Sequence, residues 1–177
     1  MKKSLFVSLC LLLSVAVCHA GGLKIGGHGA YTVGGDVEDE EAGGGAQIAI
    51  GFNDSFSMEL AGTMIQDSVG NVDVDFFTIA LSARVGGMLS EGLGAYAGGG
   101  INYNFIEIDG FEDPDGEAGF HACAGLEIPL AENLELFGEY RFTWVEYTVD
   151  DSGGDLTFEG DVEYNFGLAR AGLNLVF

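Results

Sequence analysis

Three groups of residues have chemistry to offer. The first is His28, His121 and Cys123. Residues two apart on a strand share a face, so His121 and Cys123 point the same way if their segment is extended. An imidazole and a thiolate can ligate zinc, but two ligands do not close a tetrahedral site. Ordinary side-chain packing is the first expectation for them. Hydrolysis by a serine nucleophile needs a histidine and an acid held beside it. Neither His28 nor His121 stands next to a serine in a recognisable motif. No catalytic residue and no cofactor is expected, and the chain is read as a non-enzyme.

The second group is acidic. Glu107, Asp109, Glu112, Asp113, Asp115 and Glu117 fall within eleven residues. Hard oxygen ligands at this density can hold calcium, and Asp109, Glu112, Asp113, Asp115 and Glu117 are the candidate weak divalent-cation loop. Their spacing is not that of the EF-hand. The first expectation is a solvated, self-repelling loop, with divalent cations bridging it to anionic lipid head groups as a weaker collective role.

The third group is spread along the chain. Lys24, Arg84, Arg141 and Arg170 are the only cations after residue 20. On an extended chain they share the polar face of their segments with Glu59, Glu127, Glu135 and Glu139. Unpaired charge in a dry interior is costly. Arg84, Arg141 and Arg170 are therefore expected to pair with Glu59, Glu127 and Glu139, as a static network that fills an interior or as the gate of a polar pore. Pairing predicts that Arg141→Leu is more damaging alone than together with Glu139→Leu.

The elements that must carry these residues follow from composition and alternation. Residues 1–20 read as a signal peptide, with Lys2 and Lys3 ahead of an apolar run and a small-residue end at Ala20. Lipoprotein processing at Cys18 is disfavoured by the bulky Val17. The mature chain, 21–177, keeps a single cysteine, so no internal disulfide can form. It keeps four cations against 28 carboxylates. Nucleic acid, which calls for a basic footprint, is excluded as a partner. No later stretch reaches the ~18 apolar residues of a spanning helix, so a membrane form must be a closed barrel.

Period-two alternation predicts eight strands near 23–34, 44–52, 55–65, 75–87, 93–106, 118–128, 134–147 and 163–177. The seventh is the clearest. Leu134, Leu136, Gly138, Tyr140, Phe142 and Trp144 form one face, and Glu135, Phe137, Glu139, Arg141, Thr143 and Val145 the other. Connections alternate between short turns (53–54, 90–92 and 129–133) and long acidic segments (36–41, 67–73, 107–117 and 148–161). Aromatics gather at the ends of the apolar face: Phe52, Phe56 and Phe177 at one, Tyr31, Phe77, Tyr103, Phe105, Phe142 and Trp144 at the other. That is the pattern of two interfacial girdles. The apolar face is too bulky for the interior of eight strands, whereas the Gly, Ala, Ser and Asn of the other face suit it. The expected fold is all-β, an eight-stranded antiparallel up-and-down transmembrane β-barrel.

The chain resembles the eight-stranded outer-membrane β-barrel family, the group of the OmpA membrane domain and the opacity and porin-like small barrels. The resemblance is strongest over Gly98-Gly99-Gly100-Ile101-Asn102-Tyr103, over 124–130 with Glu139-Tyr140-Arg141, and over the closing Gly172-Leu173-Asn174-Leu175-Val176-Phe177. It implies an outer membrane of the Gram-negative type, lipid as surroundings, and Phe177 as the signal read by the barrel-assembly machinery. Fold alone does not give an activity. The expected role is structural or envelope-integrity work, or surface binding of a ligand by the acidic loops. A small-solute channel through the lumen is the alternative.

Overall fold

The computed structural model describes residues 22–35, 41–69, 72–108, 116–151 and 158–177. They form eight strands: β1 (Gly22–Gly35), β2 (Ala42–Asn53), β3 (Phe56–Val69), β4 (Val72–Ser90), β5 (Leu93–Ile108), β6 (Glu117–Ala131), β7 (Leu134–Asp151) and β8 (Phe158–Val176). Each pairs antiparallel with its sequence neighbours, and β1 pairs with β8 to close the barrel. Closure leaves no strand edge unpaired, the condition for crossing a bilayer with strands. The seam is tied at its end by Phe177 N–H to Leu23 O at 2.9 Å and Leu23 N–H to Phe177 O at 3.2 Å.

The short turns have local causes. Asn53 Oδ1 accepts from the backbone N–H of Ser55 (2.9 Å) and of Phe56 (2.8 Å), so the side chain takes the place of a backbone partner and turns the chain. Between β4 and β5, Gly92 sits at φ 83°, a left-handed conformation that glycine adopts without penalty.

The structure moves the boundaries at the opposite end. Most of 67–73 and much of 148–161, expected as loops, is strand. Asp67 pairs with Val74, Ser68 with Asp73, and Asp150 with Glu159. The residues of these segments are mostly polar or acidic in sequence. Apolar alternation stops there while the backbone ladder continues, so polarity was misread as irregular structure. The acidic stretch at 109–115 and residues 1–20 lie outside the described residues.

Alternation decides the two faces. Leu60, Phe77, Ile101, Phe120, Trp144 and Leu175 are exposed on the outer wall, where lipid replaces water. Inward positions are small or polar: Ala49, Ala61, Ala80, Ser82, Asn102 and Asn174 are buried. Among the described residues, Phe137 and Tyr96 are the large aromatics buried within the lumen. The core of this protein is therefore its lumen, and the charged residues lie in it.

Candidate functional site

At mid-height the lumen holds five charged side chains from four strands: Glu59 (β3), Arg84 (β4), Glu139 and Arg141 (β7) and Arg170 (β8). Glu139 and Arg170 stand directly opposite each other across β7–β8. Each of the three arginines contacts both carboxylates. Arg141 Nη2 lies 2.9 Å from Glu59 Oε1 and 3.1 Å from Glu139 Oε1. Arg170 Nη2 is 3.0 Å from Glu59 Oε1 and bonds Glu139 Oε1 as well. Arg84 Nη2 meets Glu59 Oε2 and Glu139 Oε2. Tyr96 donates its hydroxyl to Glu139 Oε2 at 2.9 Å, and its ring lies 4.4 Å from the Arg84 guanidinium. Glu59 is 1 % exposed and Arg170 2 %, so this layer is closed. Three guanidinium groups against two carboxylates give it a net positive charge.

A second group fills the lumen at the turn end. Lys24 Nζ bonds both oxygens of Glu135 at 2.9 Å and Glu127 Oε2 at 2.9 Å. The expectation that Glu127 serves the arginines is thereby corrected. Glu127 is placed near the turn that ends β6, where its ion pair is with Lys24 of β1. Glu135, which the expected pairing left out, is the second partner of that lysine. From Glu135 a hydrogen-bonded chain runs inward. Asn174 Nδ2 donates to Glu135 Oε1 (3.1 Å), Gln47 Nε2 to Asn174 Oδ1 (2.8 Å), and His28 Nδ1 to Gln47 Oε1 (2.7 Å). Oε1 only accepts, so Nδ1 carries the proton, and in the neutral ring Nε2 accepts from the Thr63 hydroxyl at 3.0 Å. A cavity of about 240 Å³ opens at this end, lined by Lys24, Ser57, Arg84, Tyr96 and Glu127 among others.

His121 Nε2 lies 2.9 Å from Ser82 Oγ, a contact of the kind a serine nucleophile uses. Arg141 Nη2 donates to the same oxygen at 3.3 Å, so the hydroxyl proton turns to His121. Ser82 has no exposed surface and His121 Nδ1 has no hydrogen-bond partner, so there is neither access for a carbonyl nor an acid to orient the ring. Sequence spacing could not reveal this contact, because Ser82 and His121 are brought together by the curvature of the barrel from β4 and β6. Cys123 is buried in the same interior, and the described residues form no cluster that could hold a metal ion. Of the acidic loop, Glu117 begins β6, whereas Asp109, Glu112, Asp113 and Asp115 lie outside the described residues.

Above the arginines the lining changes. Thr78 donates to Asn104 Oδ1 (2.9 Å) and Asn104 Nδ2 to Asn102 Oδ1 (2.8 Å). Beside them Ala30, Ile65 and Leu168 form a buried apolar cluster with Phe76 packed on it. Tyr96, Ser82 and Asn174 fall on the polar strand faces that alternation turns inward, whereas Gln47 and Ile65 are interior residues it did not single out. Ile65 carries a parity signal, in step with Glu59 of β3, whereas Gln47 stands on β2, which has no charged residue, and is marked only by its alternation with Ile48 and Ile50.

The family model described as outer membrane protein beta-barrel domain matches residues 6–177. No curated protein sequence matches the chain. Solved structures do. Neisserial surface protein A is 15 % identical with a TM-score of 0.66, covering 86 % of this chain and 96 % of that one. The N-terminal β-barrel domain of Pseudomonas aeruginosa OprF is 17 % identical with a TM-score of 0.61, covering 89 % and 98 %. Ail, the attachment invasion locus protein of Yersinia pestis, was solved with the heparin analogue sucrose octasulfate. It is 14 % identical with a TM-score of 0.57, covering 88 % and 97 %. At these identities the likeness is one of fold.

Proposed function

Because this chain belongs to the outer membrane protein β-barrel family, and is thus a protein of the outer membrane, we propose that it works as a closed, non-catalytic barrel whose job is done by its acidic extracellular end. Residues 1–20 leave as a signal peptide, lipid surrounds the apolar wall, and the barrel-assembly machinery reads the terminal Phe177 strand. The observation that carries the reading is the filled lumen. Glu59, Ser82, Thr143 and Arg170 are each 2 % exposed or less, and eight strands enclose just enough room for side chains. Function then falls to the hairpin ends and loops that a rigid scaffold holds outside.

Charge narrows what those ends bind. All four cations after residue 20 lie in the lumen, so the extracellular end carries carboxylates and no Lys or Arg. A sulfated sugar such as the one bound to Ail would meet only like charge. The surface suits a cationic partner, or divalent cations that bridge its carboxylates to anionic lipid head groups and so support envelope integrity. The test is complementation of cells lacking the gene, scored by detergent and chelator sensitivity. A variant with Asp109, Glu112, Asp113, Asp115 and Glu117 changed to the amides should fold and fail to protect. Full protection by that variant would remove the loop charge from the function.

A further inference from the structure

The lumen is sealed differently at its two ends. Toward the turns, the cavity of about 240 Å³ runs up to Arg84 and Tyr96. Its walls include Lys24, Ser57 and Glu127, groups that exchange protein partners for water at small net cost. Toward the outside, Ala30 (β1), Ile65 (β3) and Leu168 (β8) form one buried apolar cluster, joined by Phe76 (β4). Thr78, Asn104 and Asn102 line the wall beside it, bonded to one another, but the hydrocarbon of the cluster offers a hydrated solute no such exchange, and apolar side chains at a narrow point disfavour water there.

We infer that the barrel is a one-sided vestibule, open to small polar solutes from the periplasm as far as the arginine layer, and that the Ala30–Ile65–Leu168–Phe76 cluster is the seal against the exterior. The charge network is then the inner wall of the vestibule rather than the outer barrier. This goes beyond the closed-scaffold reading, which concerns only passage from one side to the other.

The fold supplies a reporter. Arg84, Gly98 and Cys123 stand in register on β4, β5 and β6. Glycine puts no side chain between the other two, and a Cβ at Gly98 would lie 3.1 Å from Arg84 Cγ. The stem of Arg84 therefore covers Gly98 and separates the cavity, which Arg84 lines, from the Cys123 thiol.

The experiment is labelling of the intact barrel in oriented vesicles with a small charged methanethiosulfonate, added on one side at a time. Modification is located on Cys123 by peptide mass, and folding of every variant is checked by heat-dependent gel mobility. Labelling is expected about tenfold faster from the periplasmic side, with Arg84→Ser raising that rate alone. Ile65→Ser with Leu168→Ser should bring the exterior rate up toward the periplasmic one, and Leu168→Thr serves if the double variant does not fold. Equal rates from both sides in the parent, faster labelling from outside, no labelling from either side even in Arg84→Ser, or septum variants that leave the exterior rate unchanged would each overturn the inference. A current through the parent barrel would count against the closed scaffold, whereas two-sided labelling of a silent barrel counts only against the one-sided vestibule.

Discussion

The charge network is unequal in its signs, and that inequality can be tested. Glu139→Gln leaves Arg84, Arg141 and Arg170 sharing the charge of Glu59 alone, and turns the charged acceptor of the Tyr96 hydroxyl into a neutral amide. Removing one partner of a buried ion pair costs about 3–5 kcal/mol. Glu139 touches all three arginines, so the upper part of that range, about 4–5 kcal/mol, is expected. Arg141→Met removes contacts to Glu59 at 2.9 Å, Glu139 at 3.1 Å and Ser82 at 3.3 Å. It leaves two guanidinium groups facing two carboxylates in a hydrophobic replacement of similar length. About 1–2 kcal/mol is expected there. The difference of about 3 kcal/mol is a factor of roughly 10² in the unfolding equilibrium. Simple pairing, as read from the sequence, expects Glu139→Leu to relieve Arg141→Leu. The network predicts the reverse, because the double variant leaves Arg84 and Arg170 with Glu59 only. The assay is urea unfolding in lipid vesicles, with the folded fraction read from gel mobility of unheated samples. Equal losses for Glu139→Gln and Arg141→Met, or relief in the double variant, would refute the reasoning.

Three further outcomes follow from other parts of the barrel. Lys24→Met strands Glu127 and Glu135 at a partly exposed mouth and should cost about 1–2 kcal/mol, less than a change in the dry centre, measured as the shift in urea midpoint. Gly100→Ala should lower folding yield by destabilising the β4–β5 register by about 1–3 kcal/mol, because a Cβ there falls on the Leu81 carbonyl; Gly138→Ala, with nothing within 4 Å, should be neutral in the same assay. Trp144, the sole tryptophan, is exposed on the outer wall in the girdle at the extracellular end. Its fluorescence should be quenched more by lipids brominated near the head group than near the chain end, and the opposite order would displace the girdle from the interface.

Strand number, order and facing were legible because the barrel repeats one rule. Leu134 through Val145 alternates without a break, and the structure puts Glu135, Phe137, Glu139, Arg141, Thr143 and Val145 inside. What alternation cannot give is height within the lumen, since parity assigns a face and not a level. Glu127 and Glu139 share a face, yet one meets Lys24 at the mouth and the other the arginines at mid-height. The Ser82–His121 contact and the apolar cluster of Ile65, Leu168 and Phe76 depend on curvature across non-neighbouring strands, for which the chain carries no local signal. The strand ends at 67–73 and 148–161 carried no apolar alternation to mark them, although the backbone ladder runs on through Asp67–Val74 and Asp150–Glu159.

The claim on which the rest stands is that the lumen is closed by its own side chains. The most direct measurement is single-channel recording of the protein purified from outer membranes and inserted in a planar bilayer, with its folded state confirmed by heat-dependent gel mobility. The packed layer of Glu59, Glu139, Arg84, Arg141 and Arg170 predicts a silent membrane at every voltage held. Discrete, reproducible current steps would contradict it and turn the barrel into a small-solute channel past those arginines.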